Sequence, residues 1–279
     1  MVIYGIIVII LAYMVTYSIV PVIGKMLAKA DFVRPNFRGD MIPLGVGIVF
    51  ALTLLVTGSV WILLQPDQAR NTLLFLFAAF SMALLGLVDD VFGSREASGL
   101  KGHLKKLLVE GELTTGALKA LAGGMVSLLI SLALIKIEKI QDILLVLLNT
   151  FIIALSTNAI NLLDLRPGRA IKGYLLLAAF LVAFGYNQEE VWLLGILTGS
   201  VLAYLPFDLK AQTMMGDTGS NVLGISVGLL AVLVLPLTPK SVYFGLLVLF
   251  HLYTEKFSLT RTIENNRVLK FIDMIGREK

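Results

Sequence analysis

Two adjacent aspartates, Asp89 and Asp90, close an apolar run that reads L-L-G-L-V-D-D-V-F-G over residues 84–93, and no basic residue follows before Arg95. Neighbouring carboxylates repel one another, and at the C-terminal end of a helix the macrodipole disfavours each acid by about 0.3–1 kcal/mol. A nearby cation would relieve both effects. The chain has no cysteine and only two histidines, His103 and His251. Oxygen ligands from a few carboxylates suit Mg²⁺, or alternatively Mn²⁺. The plainer reading is a solvated helix end neutralised by Arg95.

Two further stretches carry acids of the same kind. N-A-I-N-L-L-D spans Asn158 to Asp164. Asn161 and Asp164 lie three residues apart and so share a helical face, with Asn158 one turn earlier. The plainer reading is a polar helix end before a turn at Pro167-Gly168. M-G-D-T-G-S spans Met215 to Ser220 and opens another apolar run. Asp217 or Thr218 could serve simply as a helix N-cap. Alternatively, Gly216, Thr218, Gly219 and Ser220 would present free N–H groups to a phosphate at a helix N-terminus, with Asp217 holding a bridging metal.

These residues need elements to position them. The 279-residue chain is 57% hydrophobic and 15% charged, with mean hydropathy +0.89. Soluble domains carry about 25% charged residues, so this is too much apolar sequence for a soluble core. Nine runs approach the roughly 20 residues that cross a bilayer as helix: about 2–23, 44–64, 71–88, 113–135, 142–160, 172–186, 190–206, 219–236 and 238–254. The sixth and seventh are short enough to be tilted or re-entrant. The first lacks a basic leader and is read as a retained span. The expectation is an all-α polytopic membrane bundle over residues 1–254 with a basic tail over 255–279.

Lysine and arginine orient it. The loops of one side hold 18 of the 23 basic residues and the other side holds 4, with Lys119 inside a span. The positive-inside rule makes the rich side cytoplasmic, with the N-terminus outside and the C-terminus inside. All three acidic stretches then fall on the cytoplasmic side. Lys101, Lys105, Lys106, Arg34 and Arg38 share it and could neutralise a diphosphate, although the positive-inside bias alone accounts for most of them. The basic residues are scattered without interleaved aromatics, which argues against nucleic acid.

Taken together, G-L-V-D-D-V-F-G, N-x-x-N-L-x-D and M-G-D-T-G-S resemble the polyprenyl-phosphate N-acetylhexosamine-1-phosphate transferase superfamily. This superfamily includes phospho-MurNAc-pentapeptide translocase and the GlcNAc-1-phosphate transferases. R-P-N-F-R-G-D-M-I-P-L-G-V-G (Arg34 to Gly47) is similar to its first cytoplasmic loop. The resemblance implies transfer of a sugar 1-phosphate from a UDP-sugar to an undecaprenyl-type phosphate at the cytoplasmic face of the cell membrane, with Mg²⁺ and release of UMP, in envelope glycan synthesis. It implies catalytic roles for Asp89, Asp90 and Asp164 and a metal-binding role for Asp217. Asn158, Asn161, Lys101, Gly216, Thr218, Gly219 and Ser220 would contact substrate. It also allows a homodimer.

Some positions depart from the family pattern. Where D-G-L-D-G-L-A is usual, this chain has Asp164-Leu-Arg-Pro-Gly-Arg-Ala170. Where an asparagine usually follows a phenylalanine before G-D-x-G-S, Phe207-Asp208 stands nearby, which makes Asp208 the nucleotide-binding counterpart. The last cytoplasmic loop of the family is histidine-rich, whereas residues 255–277 hold no histidine. A non-catalytic relative that binds lipid phosphate or envelope-assembly partners is therefore the alternative reading. An ion-coupled transporter fits less well, because the acids gather at one face and not at mid-membrane.

Overall fold

The computed structural model describes residues 1–93, 102 and 106–277. Each of the nine predicted segments is a helix: α1 (Val2–Lys29), α2 (Ile48–Leu64), α3 (Ala69–Phe92), α4 (Thr115–Leu134), α5 (Ile140–Leu163), α6 (Arg169–Gly185), α7 (Val191–Leu209), α8 (Gly216–Val234) and α9 (Leu237–Lys256). Six of them, α1, α3, α4, α5, α7 and α8, are long and apolar enough to cross a membrane by length and composition. At 17 residues, α2 is a shorter apolar helix. The protein is an all-α, multi-pass membrane protein. Two further short helices, α10 (Leu259–Asn265) and α11 (Arg267–Met274), follow α9.

At the centre stands α8, in which every residue except Asp217 and Leu233 is buried. It packs most extensively against α5 and α3. These contacts are close because glycines line them. A Cβ on Gly86 of α3 would stand 2.3 Å from the carbonyl oxygen of Asp217, and one on Gly224 of α8 would stand 2.6 Å from the Cα of Thr157 in α5. Small residues let apolar helices approach where no water drives them together. On another side of the bundle, Thr16 of α1 shares hydrogen bonds with Thr53 of α2 (2.7 Å) and Ser200 of α7 (2.6 Å). Buried hydroxyls with no water available must pair in this way.

Between α1 and α2 a short antiparallel ribbon forms from β1 (Val33–Pro35) and β2 (Met41–Pro43), with Arg34 opposite Ile42. The ribbon is tied to the start of α8. The Met214 amide donates to the Pro43 carbonyl (2.8 Å), and the amides of Val46 and Gly47 donate to the carbonyls of Met214 and Met215 (3.1 Å each). The first loop and the M-G-D-T-G-S stretch are thereby fixed to one another at one end of the bundle.

Candidate active site

Three helix ends meet beside that ribbon: the last turn of α3, the second turn of α4 and the first turn of α8. The Lys119 ammonium on α4 donates to Asp89 Oδ2 at 2.7 Å and to Asp217 Oδ2, joining two acids 128 positions apart in the chain. Its side chain is only 18% exposed. A cation this far out of water needs such partners, because removing a charge from solvent costs several kcal/mol.

Asp90 faces a different way. Its Oδ1 accepts from the Asp217 amide (2.9 Å), and its Oδ2 accepts from the Thr218 amide (2.9 Å) and hydroxyl (2.6 Å). The carboxylate thus caps α8 from outside that helix, satisfying N–H groups that have no partner within it and placing negative charge at the positive end of the dipole. Gly216 makes the approach possible. Its φ is +71°, and a Cβ there would stand 2.5 Å from Asp90 Oδ2.

This arrangement corrects the expectation that the α8 N-terminus presents free N–H groups to a phosphate. The amides of Asp217 and Thr218 are taken by Asp90, and neither side chain is the N-cap. The other small residues are turned to neighbours as well. Gly219 touches Gly47, where a Cβ would clash with the facing Cα at 2.7 Å. Ser220 is buried and accepts from Asn161 Nδ2 at 3.0 Å. Gly216, Thr218, Gly219 and Ser220 build the wall behind the site.

Asp164 stands just past the end of α5. Burial, and then the carboxylates of Asp208, Asp217 and Asp90, push its carboxyl well above the usual aspartate range. Those three carboxylates lie near enough for their charge to reach Asp164. Asp208 is buried, and its Oδ2 accepts from the Gly168 amide at 2.7 Å. It supports the turn before α6. Asn158 lies on the exposed edge of α5, off the face that packs on α8. Lys101, Lys105 and His103 lie outside the described residues. His251 donates from Nδ1 to the Leu247 carbonyl (2.8 Å) within α9.

A cavity of about 320 Å³ opens over the junction, lined by Arg34, Pro35, Leu44, Asp89, Asp90 and Asp217 among others. Arg34 from β1 thus faces the acids across the opening. Phe37 beside it is flanked by the guanidinium groups of Arg38 (5.0 Å) and Arg166 (5.9 Å). The residue that sequence reading missed is Lys119. Its signal was available: an ionisable side chain inside an apolar span is expensive and marks a site or a partner.

The arrangement sets fixed positive charge and carboxylates around one opening at a helix-bundle end, which suits binding of an anion with or without a divalent metal. The glycosyl transferase family 4 profile matches residues 72–235, a stretch that holds Asp89, Asp90, Lys119, Asp164 and Asp217. The phospho-N-acetylmuramoyl-pentapeptide-transferase of Clostridium kluyveri is 29% identical over 219 residues, covering 75% of this chain and 67% of its own. Those of Clostridium acetobutylicum (28% over 240 residues, 78% and 71%) and Staphylococcus aureus (24% over 235 residues, 77% and 71%) are similar to it over comparable lengths. With the profile covering more than half of the sequence, the chain belongs to glycosyl transferase family 4, the superfamily of polyprenyl-phosphate hexosamine-1-phosphate transferases that its acidic motifs resemble.

Proposed function

We propose that this protein transfers a sugar 1-phosphate from a UDP-sugar to a polyprenyl phosphate at the cytoplasmic face of the cell membrane and releases UMP. The observation that carries this reading is the junction of Asp89, Lys119 and Asp217 beneath a cavity that Arg34 also lines. In the reaction, an oxygen of the lipid phosphate attacks the sugar-bearing phosphorus. The bond from that phosphorus to the bridging oxygen breaks, and the oxygen leaves with UMP. The second pKa of a phosphate monoester is about 6, so the nucleophile is already ionised and a general base has little to remove. What the protein must do is gather two anions and offset their charge. Lys119 and Arg34 supply fixed positive charge. Asp89 holds the Lys119 ammonium, while Asp90 positions the start of α8 and with it Asp217.

Mg²⁺, or Mn²⁺ in its place, is the proposed cofactor, with Asp217 and Asp89 as its protein ligands. Magnesium typically takes one or two carboxylates and completes its shell with water and phosphate oxygens. Two converging carboxylates fit that donor set. Among the described residues, no group of three or more acids or histidines gathers as a ready-made cage. When bound, the metal would neutralise charge on the diphosphate. Asp164 remains a proposed catalytic residue, and Asn158 and Lys101 remain proposed contacts to substrate.

The relatives' name makes UDP-N-acetylmuramoyl-pentapeptide the first donor to test. One observation favours a second reading, a lipid-phosphate binder without transfer: the histidine-free segment 255–277 is pinned to Pro167 and to the first turn of α6. Purified protein with undecaprenyl phosphate, Mg²⁺ and a panel of UDP-sugars separates the two. UMP release with one donor supports transfer. Lipid-phosphate binding with no UMP from any donor supports the second reading.

A further inference from the structure

The segment that follows α9 has no role in the site just described. Only Phe257 and Ser258 separate α9 from α10, and α11 follows at once. One edge of α11 is anchored. Asp273 is buried and receives hydrogen bonds from Arg169 (2.8 and 3.0 Å) and Arg277 (3.0 Å). Its carbonyl accepts from Lys172 at 2.7 Å, and Gly276 lies against Leu209. Arg169 is the first residue of α6 and Leu209 the last of α7, a helix long and apolar enough to cross the membrane. The anchor therefore sets α11 level with the membrane boundary.

The opposite face of α11 is apolar and open. Val268, Phe271, Ile272 and Ile275 recur at three- and four-residue spacing, so they share one face. They are 65%, 70%, 45% and 52% exposed. Arg267 and Lys270 flank that face and are also exposed. A short helix with a strong apolar face, a basic edge and a fixed position at the bilayer boundary has the chemistry of an interfacial helix. Basic residues at that depth meet anionic headgroups.

We infer that α11 lies in the membrane interface, with Val268, Phe271, Ile272 and Ile275 among the lipid chains and Arg267 and Lys270 on anionic headgroups. The lipid sheet is thus a further binding partner, gripped beside the turn that carries Asp164 and Arg169.

The cysteine-free sequence allows a clean test. Phe271→Cys and, separately, Lys270→Cys are spin-labelled in nanodiscs of phosphatidylcholine with or without phosphatidylglycerol. Collisions of each label with oxygen and with a water-soluble nickel chelate are compared. At position 271 oxygen should dominate, and more strongly with phosphatidylglycerol. At position 270 the nickel chelate should dominate. Arg267→Gln with Lys270→Gln, added to the Phe271→Cys protein, should abolish the response to phosphatidylglycerol. Ile272→Cys reports the same face if the label at 271 impairs assembly. Nickel dominance at 271 and 272 would overturn the inference, as would exclusion of both reagents, which would mean that another protein surface covers the face. Insertion indifferent to phosphatidylglycerol would overturn the anionic-headgroup contact.

Discussion

Asp89 and Asp90 adjoin in the chain yet serve different partners. Asp89 shares Lys119 with Asp217, whereas Asp90 closes the N-terminus of α8. Their neutral variants should therefore part company. Asp89→Asn leaves Lys119 paired with Asp217, so the fold should survive with its melting temperature unchanged. Transfer should fall by at least ~10²-fold, the scale for losing one preorganised charge contact. Asp90→Asn replaces an acceptor of two amides and a hydroxyl with a group that is half donor. It should lower stability by about 1–3 kcal/mol, the cost of leaving such donors unmet. Melting curves in metal-free detergent beside turnover would check this, and equal losses of stability in both variants would contradict the division. Asp217→Asn should remove the thermal stabilisation that Mg²⁺ confers. A mutant whose melting point still rises with Mg²⁺ as the wild type's does would place the metal elsewhere.

At the scale of elements, the ends of α3, α4 and α8 form the site, and the tail is held by one ionic cluster. Burial works to raise the Asp273 carboxyl, but hydrogen bonds and charge from Arg169 and Arg277 outweigh it and hold the group below the usual aspartate range. A lowered carboxyl stabilises the folded state fully above the unfolded-state pKa, about 3.9, and loses that contribution as pH falls through the folded value. Protection of the amides of residues 267–274 against hydrogen exchange, taken relative to the intrinsic rate at each pH, should therefore hold at pH 7 and pH 5 and be lost only below about pH 4. Release of the tail between pH 7 and 5 would contradict the assignment.

The sequence carried the helices well, because each is a local run of apolar residues with charges, glycine or proline near its limits. It also carried the gathering of Asp89, Asp164 and Asp217 at one end, because alternating spans return the chain to the same face. It could not carry pairings between distant positions. The cap on α8 comes from Asp90, 127 residues earlier than the amide of Asp217, so a local reading assigned it to Asp217 or Thr218. Arg169, which reads as a departure from the family pattern, finds its reason 104 residues later in Asp273. Lys119 was read as one cation in an apolar run, and its two acids could be named only once the helices were packed.

For the whole molecule, the account requires the acidic end to face the cytoplasm, where nucleotide sugars are. By the positive-inside rule the 18-to-4 division of basic residues would place that end in the cytoplasm, and the charged pairs described around Lys119 and Asp273 belong to it. A reporter fused after Lys279 should register cytoplasm, while a probe at the N-terminus should be labelled from outside. Both termini on one side would mean an even number of crossings and would break the nine-span reading. The most direct test of the central claim is formation of lipid-linked sugar. Purified protein is given undecaprenyl phosphate and a UDP-sugar labelled in the phosphate next to the sugar. The account predicts Mg²⁺-dependent label in the lipid fraction with equimolar UMP, and its loss in a folded Asp89→Asn variant. Label that stays wholly in the nucleotide for every donor, or transfer undiminished in Asp89→Asn, would contradict it.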